Sequence, residues 1–140
     1  LVGNHENYDD MSTLRVDRIA HIAVLNERRK PLREIKGYQQ QRTFNVSQYV
    51  KEHIYMFGGE SITVTFKARR SIVNQILDWF DGNVEFTNIT ADNVVCRVRV
   101  NHDAFKYWAL QYMQSVKVLT PASLVTEVKA AIEEGLHQYS

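Results

Sequence analysis

Two segments of the chain alternate with a strict period of two. In the first, Ile62, Val64 and Phe66 interleave with Thr63, Thr65 and Lys67. In the second, Val94, Cys96, Val98 and Val100 interleave with Val95, Arg97 and Arg99. Each pattern places its apolar set on one face of a strand, so both segments belong in a sheet with one buried face. Elsewhere the period becomes helical. Over residues 70–80, Val73, Ile76, Leu77 and Phe80 fall on one helical face, and Asp81-Gly82-Asn83 stops the run. Over 102–114, Phe105, Trp108, Ala109 and Tyr112 do the same. Shorter strands are predicted over 84–90, with Ala91-Asp92-Asn93 as the turn, and over 115–119. Thr120 is expected to cap a final helix, with Pro121 at its first position and Gly135 closing it. From residue 61 the order is β-α-β-β-α-β and one more helix. The predicted class is α+β, with a ferredoxin-like split βαββαβ unit and an extra C-terminal helix.

The preceding residues are less regular. Residues 4–10 read as a loop or hairpin tip, and 14–25 as a loosely alternating strand rich in β-branched residues. Residues 28–42 hold Arg28, Arg29, Lys30, Arg33, Lys36 and Arg42 against the single acid Glu34, and read as a basic connecting arm. A helix is predicted over 44–57 from Val46, Tyr49, Val50 and Ile54, capped by Asn45 and ended by Gly58-Gly59. The expected organisation is 1–43, a connecting helix over 44–59, and a second unit over 60–140.

Catalytic signatures are absent. Gly58-Gly59 lacks the Lys-Ser/Thr of a phosphate loop, and no Gly-x-Ser-x-Gly elbow occurs. The histidines His5, His21, His53, His102 and His137 form no i, i+4 pair, so neither a metal site nor a cofactor is expected. Cys96, the only cysteine, sits on the apolar side of its strand and reads as a small buried hydrophobe; with no disulfide possible, a reducing, cytoplasmic setting is expected. Glu133-Glu134 reads as a solvated helix face. No apolar run is long enough for a membrane span, and no signal peptide is visible. The chain starts at Leu1 without an initiator methionine, and an upstream segment is expected.

Lys and Arg (17) nearly balance Asp and Glu (16), so any argument for an anionic partner must be local. Three features qualify. Arg15 and Arg18 flank Asp17; strict alternation would put them on opposite faces, so the alternatives are a shared site at a bulge or an ordinary ion pair beside a surface arginine. The basic arm is either a solvated linker or a phosphate-tracking segment. Arg97 and Arg99 lie opposite the valines of their strand, on a sheet face left open by helices packed on the other side. That face is either an anion or nucleic-acid surface or plainly solvated. Arg69-Arg70, at a helix start, is a weaker signal of the same kind.

Leu1-Val2-Gly3, a loop, and then Leu14-Arg15-Val16-Asp17-Arg18-Ile19 resemble the second half of a WYL domain. In that family a Trp-Tyr-Leu signature is followed by an aromatic-Arg-x-Asp-Arg-Ile motif; Leu14 stands where the aromatic is usual. The remainder resembles the family's C-terminal extension, WCX, through Tyr55-Met56-Phe57-Gly58-Gly59, Trp79-Phe80, Phe105-Lys106-Tyr107-Trp108-Ala109-Leu110 and Val116-Lys117-Val118-Leu119-Thr120-Pro121-Ala122-Ser123-Leu124. The resemblance implies a bacterial transcriptional regulator that is not an enzyme. Its operator DNA would be read by an N-terminal domain outside this chain. It also implies a remnant of an Sm-like small β-barrel ahead of the extension, homodimerisation through the extension, and a nucleic-acid or nucleotide effector bound at Arg15 and Arg18. Arg97 and Arg99 are added to that site from their place on the open face. The alternatives are a ferredoxin-like small-molecule sensor and a purely structural oligomerisation module. Leu1, Val16, Ile22 and Val24, as strand residues of an incomplete barrel, are expected to be covered by a neighbouring chain or by the second unit.

Overall fold

The structure, a computed structural model, describes residues 1–140. It is a mixed α+β chain with two antiparallel sheets and four α-helices. The larger sheet holds β3 (Ser61–Arg69), β4 (Val84–Ile89), β5 (Asn93–Asn101) and β6 (Val116–Thr120) in the order β4-β5-β3-β6. Helix α2 (Val73–Phe80) links β3 to β4, and α3 (His102–Gln111) links β5 to β6. Helix α4 (Ala122–His137) follows β6 and packs on it and on α3.

The alternating sequence sets the register. Val64 pairs with Val98 and Phe66 with Cys96, so the apolar residues of β3 and β5 line one face. Onto that face the helices place Ile76, Phe80, Phe105, Trp108 and Leu124, all fully buried with Val64, Phe66 and Cys96. The ring of Trp108 lies 4.8 Å from Phe80, 5.3 Å from Phe66 and 5.4 Å from Phe105, which makes it the hub of the core. Leu77, expected inward on α2, is 42% exposed because the buried stripe is only as wide as Ile76 and Phe80.

The last helix differs from expectation at both ends. Thr120 is the final residue of β6, and Pro121 takes the cap position with no side-chain cap. Gly135 lies inside α4, which continues to His137. A lone glycine costs a helix only about 1 kcal/mol, too little to stop one that is packed along its earlier turns.

The N-terminal part is smaller. Strands β1 (Val2–Asn4) and β2 (Met11–Thr13) form a hairpin, and α1 (Val46–Glu52) follows a long irregular stretch. Met11, Ile35 and Tyr49 are its buried cluster, with Leu32, Tyr38 and Phe44 packed around them. The strand expected over 14–25 does not form. Val16–Arg18 make a single 3-10 turn, and no ladder partner exists for the rest. Without a second strand to satisfy its backbone, a β-branched run has no reason to extend as a sheet. Leu1, Val16, Ile22 and Val24 are accordingly exposed, Val24 completely, and the second unit does not cover them. The basic arm is not a free linker: Leu32–Glu34 form a turn that seats Leu32 and Ile35 against Met11 and Tyr49.

Candidate functional site

Helix α1 places the most chemistry in one location. Asn45 caps it by accepting the Gln48 amide at 3.0 Å. Tyr49 and Glu52 then share its inner face, and Gln48 Nε2 donates to Glu52 Oε1 one turn on at 2.5 Å. Glu52 Oε1 also stands 3.3 Å from Arg99 Nε on β5. The Glu52 side chain is 12% exposed and that of Arg99 55%, so a nearly buried carboxylate holds a largely open guanidinium. His53 stacks on Tyr49 with ring centres 3.9 Å apart. Its Nδ1 lies 2.8 Å from the Tyr49 carbonyl and its Nε2 3.2 Å from that of Gly59. Tyr49 reaches β2 through its hydroxyl, 3.3 Å from Thr13 Oγ1.

These groups wall a cleft of about 700 Å³ between the N-terminal hairpin, α1 and the end of β3 and β5. Its lining is polar: the carboxamides of Gln39, Gln41, Asn45 and Gln48, the carboxylates of Asp10, Glu52 and Glu60, and the cations Lys36 and Arg99, with Tyr38 and Tyr49 as its aromatic surfaces. Burial, helped by the nearby carboxylates of Glu52 and Asp10, pushes the Tyr38 hydroxyl up to about 12, so it remains a neutral donor. A hollow of about 260 Å³ on the open sheet face is lined by Thr63, Asn83, Glu85, Arg97 and Arg99. Arg99 lines both cavities.

Arg97 and Arg99 therefore stand side by side on the exposed face, two residues apart on one strand. Arg15 and Arg18 lie elsewhere and line neither cavity. Arg15 is engaged bidentately by Asp17, at 3.0 and 2.6 Å. That bond raises the guanidinium and lowers the carboxyl from their ordinary ranges. Arg18 is exposed and in no ion pair. Glu52, Tyr49 and His53 do not stand out as site residues in the sequence; the Gln48-x-x-x-Glu52 spacing is the available signal. Asn101 is equally inconspicuous there. It is buried at the end of β5, caps α3 by accepting the Ala104 amide at 3.0 Å, and donates to the carbonyls of Gly58 and Glu60. One side chain thus fixes the start of α3 and the segment leading into β3.

Compared with known families, residues 59–136 match the WCX domain, over more than half of the chain. The chain belongs to the WCX family. This domain is the C-terminal extension of WYL-domain regulators, a regulatory rather than an enzymatic family. The match spans the four-stranded sheet with α2 and α3 and most of α4, so Arg97, Arg99 and Asn101 belong to the WCX domain while α1, with Glu52 and His53, precedes it. No curated protein matches the chain. No helix is long and apolar enough to cross a membrane.

Proposed function

We propose that this chain is the effector-sensing and dimerising C-terminal region of a bacterial DNA-binding transcriptional regulator. In this reading its effector is anionic, a nucleic acid or nucleotide held at Arg99 and Arg97, with Arg18 of the WYL-like motif as a further contact. Operator DNA is then read by an N-terminal domain outside this chain, the protein works in the cytoplasm, and the divisions 1–43, 44–59 and 60–140 are its functional units. The sheet order, with strands from sequentially distant parts of the domain as neighbours, supports the ferredoxin-like description of the WCX unit. The hairpin β1-β2 is what supports a small-barrel remnant.

The observation that carries the reading is the double position of Arg99. Its guanidinium faces the amide-lined cleft on one side and the open sheet face on the other, restrained by one carboxylate. A planar fork of donors matches phosphate bidentately, and the carboxamides and tyrosines beside it suit the edge and face of a base. Of the motif arginines, both exposed, Arg15 already has Asp17 as its partner, which leaves Arg18 as the unpaired cation.

The test is titration of the protein with a fluorescent nucleoside monophosphate and a short single-stranded oligothymidylate. Arg99→Ala is expected to weaken binding about tenfold or more, the loss of a charge-assisted interaction worth roughly 1.5–3 kcal/mol. Arg99→Lys is expected to rescue only part of it. Unchanged affinity in Arg99→Ala, with the fold intact, removes this residue from the effector site.

A further inference from the structure

One histidine bridges the loop between α1 and β3. His53, the residue that ends α1, is 6% exposed, and both of its ring nitrogens face carbonyl oxygens: Nδ1 that of Tyr49 at 2.8 Å and Nε2 that of Gly59 at 3.2 Å. A carbonyl only accepts, whereas a neutral imidazole has one donor and one acceptor. The neutral ring therefore satisfies one contact and turns a lone pair towards the other oxygen. The imidazolium donates to both. Three further features favour the charged ring. It stacks on the face of Tyr49, with ring centres 3.9 Å apart and planes 14° apart. It sits at the C-terminal end of α1, where the last carbonyls carry partial negative charge. The cleft it helps to line holds three carboxylates, Asp10, Glu52 and Glu60, against two cations, Lys36 and Arg99, so a charged His53 evens the count. The other ionisable neighbours do not supply that charge. Tyr38 is held neutral, and His102 at the start of α3 meets Glu60 only by its backbone amide, its imidazole being taken by Asp103 and Glu127.

The contact with Gly59 closes residues 54–58 into a loop, and that loop is strained. Tyr55 and Met56 both adopt the left-handed region, at φ 58° and 59°, which is costly for a residue with a Cβ. The WCX domain holds the far end of the loop fast, because Asn101 donates to the carbonyls of Gly58 and Glu60. We propose that His53 is a proton-operated clasp. Charged, it holds the strained loop shut and seats α1 against the entry to β3; on giving its proton to solvent it lets the loop relax and α1 loosen. Clasp and strain oppose one another, which is what a two-state element requires. Acid closes the clasp and rising pH opens it, within the range of about pH 5–8 where an imidazole changes charge. Because α1 carries Glu52, the clasp also governs how firmly Arg99 is restrained. No effector takes part in this step, so the inference does not depend on the function proposed above.

The experiment follows the histidine ring nitrogens by NMR and, on the same samples, amide-exchange protection corrected for intrinsic rates. It uses wild type, His53→Gln and Met56→Gly from about pH 5 to 8. At the acid end the His53 ring should be protonated at both nitrogens and the amides of α1 protected. As the ring loses its proton, protection over residues 46–59 should fall about fivefold or more, on the scale of one hydrogen bond, while the large sheet keeps its own. His53→Gln, whose carboxamide does not titrate, should show the low protection at every pH. Met56→Gly, relieved of the left-handed cost, should lose less than wild type as the pH rises. A His53 ring that stays a single neutral tautomer over the whole range overturns the proposal. So does a ring that loses its proton with no change over residues 46–59, or a pH-dependent fall that persists in His53→Gln. The proposal also fails if Met56→Gly loses as much as wild type, since strain would then not drive the opening. Should His53→Gln not fold, the wild-type measurements decide alone.

Discussion

Trp108 offers a sharp test of how the core is held together. Its side chain is completely buried between Phe66, Phe80, Phe105 and Tyr112, yet its Nε1 has no hydrogen-bond partner in the protein. Two terms of opposite sign follow. A buried tryptophan removes about 150–250 Å² from water, which at roughly 25 cal/mol per Å² is about 4–6 kcal/mol of stabilisation. The unpartnered N–H opposes this by about 1–3 kcal/mol. Trp108→Ala loses the first and is relieved of the second, so it should cost about 1–5 kcal/mol, with a midpoint of about 3 at the low end of aromatic truncations in cores. Trp108→Phe keeps most of the packing and removes the orphan donor, and should lie within about 1 kcal/mol of wild type. Urea unfolding followed by far-ultraviolet circular dichroism measures both without depending on the indole signal. An alanine cost below about 1 kcal/mol, or a phenylalanine variant as unstable as the alanine one, refutes the reasoning. The first would mean that the ring is not the hub; the second, that Nε1 is satisfied.

Other outcomes are expected from the same structure. Asn101→Ala removes a cap and two bonds to the Gly58 and Glu60 carbonyls, and should lower stability by about 2–3 kcal/mol in urea unfolding. A Cβ at Gly58 would sit 2.8 Å from the Met11 carbonyl oxygen, so Gly58→Ala should loosen the hairpin from the seam and speed amide exchange in β1 and β2 more than in the large sheet. Burial pushes the Cys96 thiol up to about 11; because the folded value lies above the unfolded one, its contribution to stability is present below about pH 8.5 and lost as pH rises toward 11, and native alkylation at pH 8 should be slow. Arg15→Ala breaks only an exposed ion pair and should leave the melting temperature unchanged in a thermal scan.

The second unit was legible because its sequence changes period at each boundary. Val94, Cys96, Val98 and Val100 can be assigned to one face from their alternation, and Arg97 and Arg99 to the other, because a strand offers no third choice. Helix α3 is equally clear, since Phe105, Trp108 and Ala109 recur at helical spacing. The errors at α4 come from reading Thr120 and Gly135 as punctuation. Cap preferences are worth about 1 kcal/mol, and packing of Leu124 and Val128 against the sheet and α3 outweighs them.

The site was legible only in part, for a different reason. Glu52 is the clearest case. In the sequence it carries no mark beyond its i, i+4 spacing from Gln48. It becomes a site residue only because Gly58 lets the chain pass close to Met11 and Asn101 ties the segment after α1 to the end of β5, bringing that carboxylate to Arg99. A ligand phosphate at Arg99 would compete with Glu52 for the same donors. If the effector binds there as proposed, its binding and the seating of α1 on the sheet are linked by one guanidinium, and freeing Arg99 from Glu52 removes one tie of α1 to β5. Glu52→Gln separates the two: it removes the competing charge while keeping the amide's hydrogen-bonding shape. A gain in phosphate affinity at unchanged stability would support this competition, whereas unchanged affinity would mean that Arg99 does not have to leave Glu52 to bind.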